Sequence, residues 1–403
     1  MTTAVARSLT LGWSTAENAE AVQAARTWRL LGEEAFFQEA SAWWDKLLEQ
    51  AKTRGPFLQF DWLKAWWGAF GEGRKWCVLV DGSTPQPRWA LPLHLGLERM
   101  AGVSVTTFRL PTNVHSGPAD VVLSEAGLAS EAGRAVVNAL TVFAGWDLVV
   151  LEYLPADSPV LGWFEGFPVF VRQTLRSPYV ELNGDFDALL RTRSRHFRQL
   201  LRRKLRKALN TPGFEIHRAT EPADGPAFWN ALEKVEAASW KAKAGTAILL
   251  SDQQREFYRK LVELALERDW SYLTWATYEG APVAYELAVR FGDTVHSMKI
   301  AYDQEYAWLS PGVVLKAWVM QKACEEGVRE QDLMGHSEPW KLSYTDKARQ
   351  HVTLYVFNPR SWRAKLLHRL FFAPRTWARR NGALRRFLDW GPVRRGICKT
   401  GLV

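Results

Sequence analysis

The chain has 403 residues, 47% of them hydrophobic, with 21 Trp and 20 Phe, which is enough for two domains with sizeable cores and too apolar for a disordered chain. Three cysteines, Cys77, Cys324 and Cys398, make no paired framework and no C-x-x-C, as expected in a reducing cytoplasm. The net charge of +9 is unevenly placed: residues 360–403 carry twelve Lys/Arg against one acid, Asp389, so the remainder is near neutral and the basic balance belongs to the tail.

The opening ten residues lack the apolar core of a signal peptide, and no run of about eighteen apolar residues occurs, so a cytoplasmic chain without a membrane span is expected. Residues 1–29 read as an N-terminal extension. Glu33–Gln50 reads as a helix with Phe36, Phe37, Ala40, Trp43, Trp44 and Leu47 on one stripe, broken by Thr53-Arg54-Gly55-Pro56 before a second helix over Phe60–Phe70. Strands follow at Trp76–Val80, Trp89–Leu97 and Val103–Arg109. Leu110–Asp120 is a polar loop carrying His115, then come a helix over Leu128–Phe143 and a strand over Asp147–Leu154. Val169–Arg172 and Tyr179–Leu182 could add two strands.

Arg191–Lys207 holds nine Lys/Arg and no acid, with Phe197, Leu200, Leu201 and Leu205 at helical spacing. It reads as one amphipathic helix whose basic face is either solvated or a patch for phosphate-bearing ligands or RNA. The second half then repeats the order of the first. A strand at Phe214–Ala219 leads to helices at Pro226–Ala238 and Asp252–Glu267. Strands follow at Tyr272–Tyr278, Val283–Arg290 and Thr294–Tyr302, then a helix at Pro311–Glu326 and strands at Gln331–Met334 and Val352–Phe357. The fold class expected is α+β, with two tandem units of mixed, mainly antiparallel sheet flanked by helices. The units would cover residues 30–185 and 186–358, share a cleft, and be followed by a basic helical tail over 359–403.

Several chemistries lose support. No H-E-x-x-H or Cys/His ligand spacing occurs, so no metal site is expected. No G-x-x-x-x-G-K-[ST] or G-x-G-x-x-G is present, and Gly335-His336-Ser337-Glu338-Pro339 lacks the final glycine of a nucleophile elbow. Ser310-Pro311-Gly312 looks like a helix start just past a strand end. Serine suits the N-cap, proline gives up a donor with no partner, and the helix N-terminus favours an anion such as phosphate. The plain alternative is a strand–loop–helix joint. Around it gather Ser239-Trp240-Lys241, Glu286, Tyr302-Asp303, Asp332 and Glu338-Pro339-Trp340-Lys341. Glu286 could be a cleft base or the partner of a basic helix, and Asp332 a functional carboxylate or a cap. Lys341 could neutralise an anion or lie on the surface. His336 could be an ordinary loop histidine, His115 a contact to an acceptor.

These residues resemble the GNAT-fold acyltransferases of the cellulose-biosynthesis CelD/BcsL type, relatives of the double-domain FemAB aminoacyltransferases. The likeness runs through Pro56–Leu63 with Trp66-Trp67 and Phe70, Phe197–Leu205, Ser239-Trp240-Lys241 with Gly245, Lys299–Asp303 with Ser310-Pro311-Gly312 and Leu315, and Asp332, Gly335, Glu338 and Lys341. It implies tandem GNAT-like domains and an acyl-CoA cosubstrate held by Tyr302, Ser310, Pro311, Gly312, Val313 and Leu315. Of the several glycines of the family's donor loop only Gly312 is present. Glu286, Asp332 and Lys341 would serve catalysis, and Ser239, Trp240, Lys241, His115 and Glu338 would meet a small-molecule or sugar amine acceptor. An aminoacyl-tRNA-dependent transferase and a non-catalytic GNAT-derived binding module are the alternatives. The tail, with Trp362–Phe372 and Trp377–Trp390 mixing Trp, Phe, Leu and Arg, could lie on an anionic membrane surface, bind nucleic acid, or pack on the body.

Overall fold

The computed structural model describes residues 27–51, 55–182, 184–239 and 248–374. Its first part comprises β1 (Trp28–Gly32), α1 (Glu33–Glu39), α2 (Trp44–Ala51), α3 (Phe60–Phe70), β2 (Lys75–Asp81), β3 (Trp89–Met100), β4 (Val103–Arg109), β5 (Val122–Leu123), α4 (Ala129–Val142), β6 (Leu148–Pro155) and β7 (Val169–Glu181). The second comprises α5 (Phe186–Arg191), α6 (Arg195–Leu209), β8 (Phe214–Ala219), α7 (Gly225–Ala238), α8 (Asp252–Glu267), β9 (Ser271–Tyr278), β10 (Ala281–Phe291), β11 (Thr294–Tyr302), α9 (Pro311–Glu325), β12 (Glu330–Asp332), α10 (Pro339–Leu342), β13 (Ala348–Phe357) and α11 (Trp362–Leu367).

All strands join one mixed sheet in the order β1-β2-β3-β4-β6-β13-β7-β12-β11-β10-β9-β8, with β5 on β3. The internal repeat is plain in that order. β1-β2-β3-β4 are successive antiparallel neighbours, and β4 then pairs parallel with β6 across the helix α4. β8-β9-β10-β11 repeat the antiparallel run, and β11 pairs parallel with β12 across α9. A parallel pair needs a crossover, and a helix supplies it in each unit. The class is α+β with tandem, mainly antiparallel units. Between the units two strands are exchanged. β7, which follows the first unit, pairs with β12 of the second, while β13, which follows the second, pairs with β6 of the first; β7 and β13 also pair with each other.

Helices close the faces. Trp44, Trp62, Trp66 and Trp89 are fully buried, each stabilising the fold by roughly 1.5–3 kcal/mol or more through lost apolar exposure. The halves pack directly: Trp62 and Phe70 of α3 meet Phe257 of α8 with ring centroids 5.7 and 5.3 Å apart.

Four local expectations need correction. β1 is an additional edge strand. The helix expected over Glu33–Gln50 is interrupted by a tighter turn at Ala40–Ala42. The two short strands at Val169–Arg172 and Tyr179–Leu182 are one, because Pro178 sits where β7 passes from β13 to β12. The basic helix starts only at Arg195, where the Ser194 hydroxyl accepts the Phe197 N–H at 3.2 Å; α5 precedes it as a separate helix.

In the tail, α11 and the wider turn His368–Phe372 lay Ala364, Leu367 and Phe372 against Phe170, Tyr355 and Phe357 of the sheet. Trp362, Leu366 and Leu370 face outward. The segment Trp377–Trp390 lies outside the described residues. No helix among the described residues is long and apolar enough to cross a membrane.

Candidate functional site

β11 and β12 pair for three residues only, Thr294↔Glu330, Val295↔Gln331 and His296↔Asp332. β11 then continues to Tyr302 while the chain after Asp332 turns away, so the parallel pair forks. A cavity of about 540 Å³ opens in that fork. Its walls are Ser297–Ile300 of β11, Leu333–His336 beyond β12, Glu338, Trp340 and Lys341 of α10, His351 of β13, Ser177 of β7, Tyr258 of α8 and the loop around His115. Both halves of the chain therefore contribute, as the shared cleft required.

The ladder between β10 and β11 skips inside the fork. Leu287 faces Lys299 and Ala288 faces Ser297, which leaves Met298 as an extra residue. A bulge takes such a residue's backbone out of the regular ladder, and Met298 lines the cavity.

Lys341 is a fixed cation on the wall. It is buried, and its Nζ donates to the carbonyls of Met334 at 2.6 Å and His336 at 3.2 Å and meets Glu338 at 2.8 Å. Met334 and Gly335 both hold positive φ, 51° and 63°, a turn that brings the Met334 and His336 carbonyls onto the ammonium. Gly335 tolerates this freely, and a Cβ there would stand 3.2 Å from Nζ. His115 lies opposite, its Nδ1 3.2 Å from the Tyr258 hydroxyl and its ring stacked on Phe70. Burial and the Lys299 ammonium push its pKa down to about 4, so the imidazole is neutral at pH 7.

Asp332 stands at the vertex. Its Oδ1 accepts the Met334 N–H at 2.8 Å and the Ser177 hydroxyl at 3.3 Å, with the Arg349 guanidinium 3.5 Å from Oδ2. Burial outweighs these and raises its carboxyl to about 6. Glu286 is placed differently from a cleft base. Its side chain is fully buried under α9, paired with Lys316 and accepting the Ser297 hydroxyl at 2.9 Å. It reaches the cavity only through Ser297, because the centre of β10 faces the helix there.

The anion site takes a form other than the one expected. Ser310 precedes α9 in the left-handed region, φ 54°, and its hydroxyl makes no cap bond. Its carbonyl instead accepts the N–H groups of Val313 and Val314 at 3.0 and 3.1 Å. Pro311 and Leu315 are buried, Leu315 in the core with Val283 and Ala284. Tyr302, Ser310, Gly312 and Val313 are half-buried, and the Tyr302 ring would stand 3.2 Å from a Cβ at Gly312. Lys207 of α6 reaches this end of the molecule, donating to the Trp308 carbonyl at 2.9 Å. Ser239 is buried and turns its hydroxyl back to the Glu236 carbonyl at 2.9 Å; Trp240 and Lys241 lie outside the described residues. Among the described residues no His/Cys/Asp/Glu group could hold a metal ion.

Sequence reasoning missed His351, Ser177, Tyr258 and the bulge at Met298. A lone polar residue in a strand carries no signal of what it will face, and only the skipped register reveals a bulge.

In comparison with known proteins, residues 195–342 match the acetyltransferase (GNAT) domain family model, a span that contains the fork, α9 and Lys341. No curated protein matches the chain. Among solved structures, FemX is 11% identical over 85% of this chain and 99% of that chain, with a TM-score of 0.47. The L-PGS of Bacillus licheniformis is 12% identical over 76% and 94%, TM-score 0.47. A tandem GNAT protein from the clavulanic acid biosynthesis pathway is 12% identical over 83% and 100%, TM-score 0.46.

Proposed function

We propose that the chain is an acyltransferase that moves an acyl group from a thioester donor of the acyl-CoA type directly to an amine. The observation that carries the reading is the fork between β11 and β12, with its bulge and cavity, inside the span that matches a GNAT domain. A donor laid along β11 would set its phosphates at Tyr302, Ser310, Gly312 and Val313, close to Lys207. Four residues of strand, roughly 13 Å at about 3.3 Å each, separate Tyr302 from Met298, so an extended arm would bring the acyl carbon to the bulge.

The thioester is already activated, so no covalent enzyme intermediate is required. The amine nitrogen attacks the carbonyl carbon, a C–N bond forms, and the carbonyl oxygen takes up negative charge. The Met298 backbone N–H would donate to that oxygen. Asp332, with its carboxyl near 6, would accept the amine proton directly or through one water. The C–S bond then breaks, and the thiolate leaves to be protonated by solvent. Lys341 would hold the wall of the cavity and its positive potential. Glu286 would fix Ser297 from behind, as a positioning residue.

The test is binding and turnover of the full chain. Acetyl-CoA and longer acyl-CoAs should raise its melting temperature, and an amine should release free thiol that a disulfide dye reports. Gly312→Val, which forces the Tyr302 ring to move, should weaken acyl-CoA binding by about tenfold or more. If no acyl-CoA binds, the donor assignment fails, and a non-catalytic binding module replaces it. One observation favours a second donor class: Arg195, Arg202, Arg203, Arg206 and Lys207 are all exposed on α6, a surface suited to RNA phosphates. Transfer from aminoacyl-tRNA that is abolished by ribonuclease would select that reading.

A further inference from the structure

A second cavity, of about 570 Å³, shares Pro118 and His351 with the first. It lies at the closed end of the fork, where His296 and Asp332 are still paired across β11 and β12. His296 lines it in an unusual state. The ring is buried and neither of its nitrogens has a partner among the described residues. Gly55 and Phe57 make room for it: a Cβ at Gly55 would stand 3.2 Å from Cε1, and the Phe57 ring meets the imidazole edge-on at 5.2 Å. Burial with Arg349 nearby holds the imidazole at about 3, so at neutral pH one nitrogen donates and the other accepts. A desolvated group with both bonds unmade is a standing penalty unless something polar fills the space.

The rest of the lining narrows what that can be. Asp120, Asp157 and Asp332 supply carboxylates. The guanidinium of Arg349 is already engaged, to Glu330 at 2.5 Å and Asp332 at 3.5 Å. The cavity therefore repels a phosphate or carboxylate and accepts an amine or hydroxyls. Asp120 Oδ1 takes the Ser158 hydroxyl at 2.7 Å and the Val121 N–H at 2.8 Å, which sets the carboxylate firmly in place. Phe57, Leu58, Pro118 and Pro155 give flat apolar wall between these polar points. Donors and acceptors around an apolar face suit a ring that carries hydroxyls on its rim.

We propose that this second cavity is the acceptor compartment and takes a polyhydroxylated primary amine, an amino sugar in class, with hydroxyls on the two ring nitrogens of His296 and the amine toward Asp332. The proposal rests on the acyl-transfer reading. Along β11 the order is His296, Met298, Tyr302, so acceptor and donor would approach the bulge from opposite ends.

The experiment is calorimetric titration of the full chain with D-glucosamine, with D-glucose and ethylamine as partial probes and acetyl-CoA titrated in parallel. D-glucosamine should bind saturably, and each partial probe should bind more weakly. His296→Phe, which keeps the volume and removes both nitrogens, should weaken D-glucosamine by at least about tenfold and leave acetyl-CoA affinity unchanged. Asp120→Asn, which preserves the shape, should weaken it as well, so a misfolded His296→Phe protein would not decide the matter alone. The acceptor compartment is overturned if acetyl-CoA binds while D-glucosamine does not, or if D-glucosamine binds wild type and both variants alike, because the cavity then holds only water. If D-glucosamine binds with the stated variant pattern and acetyl-CoA does not, the sugar site stands and the donor reading falls.

Discussion

Replacing Lys316 by methionine should destabilise the protein far more than a surface lysine would. Lys316 and Glu286 are 1% and 0% exposed and form an ion pair between α9 and β10. Lys316 also donates to the Ser297 hydroxyl at 2.8 Å. Burial keeps the ammonium below its ordinary range in spite of the carboxylate beside it, so desolvation outweighs the attraction. Among the described residues Glu286 makes no other ion pair. In Lys316→Met it would keep only the Ser297 hydroxyl at 2.9 Å and the Gln331 amide at 3.5 Å, while its second oxygen already lacks a partner. An unpaired buried charge of this kind costs about 3–5 kcal/mol. Adding Glu286→Gln removes the stranded charge, so the double variant should recover half or more of the loss, a coupling of about 2 kcal/mol. Urea unfolding followed by tryptophan fluorescence measures all three proteins. A single variant within about 1 kcal/mol of wild type, or a double variant whose losses simply add, would refute the claim that the pair is a closed, mutually dependent unit.

Asp120 carries a pH signature. Its folded pKa of about 6 exceeds the ordinary 3.8, so between those values the native state holds a proton the unfolded chain has released. It therefore favours folding on the acid side, and that contribution is lost as pH rises through about 6. Asp120→Asn should gain on wild type by about 1.4 kcal/mol per pH unit from pH 4 to 6; a pH-independent difference in urea stability would contradict this. Lys341→Met should release the turn at Met334 and Gly335, and hydrogen exchange over 334–342 should quicken at least severalfold, with turnover falling; unchanged exchange means that the ammonium does not hold the turn. A membrane-docking role for the outward residues Trp362, Leu366 and Leu370 predicts that changing all three to alanine reduces flotation with anionic vesicles; equal recovery of variant and wild type refutes that role.

The meander β9-β10-β11 was legible because alternation and turn residues agree: Glu279 and Gly280 both take positive φ, 51° and 78°, as a tight hairpin of this hand requires. The helix after it was equally plain from its proline and apolar spacing. What could not be read was decided by partners distant in the chain. β7 looked like two strands because nothing local says that Arg172 and Tyr179 lie on one line between two different neighbours. Ser310 had the chemistry of a cap, but in its left-handed conformation the hydroxyl makes no cap bond and the carbonyl takes the Val313 and Val314 N–H groups. Glu286 and Asp332 had the right residue types, and their surroundings were set by Lys316 on α9 and by Ser177 and Arg349 on strands brought together only by the sheet. His296 and His351 gave no signal at all, since a histidine in a strand is ordinary until its neighbours are known.

The exchange of β7 and β13 has a consequence for how the molecule is made. The strand that completes the first unit beside β6 is residues 348–357, which are made only after the strands β8 to β12 of the second unit. While the ribosome is still translating the second unit, the first must wait with β6 as an exposed edge, and that edge is the hydrophobic run Leu148–Leu151. An open apolar edge is a template for pairing with a neighbour. Nascent chains stalled before residue 348 should therefore associate with one another or with a chaperone, whereas chains released past Phe357 can close the gap themselves.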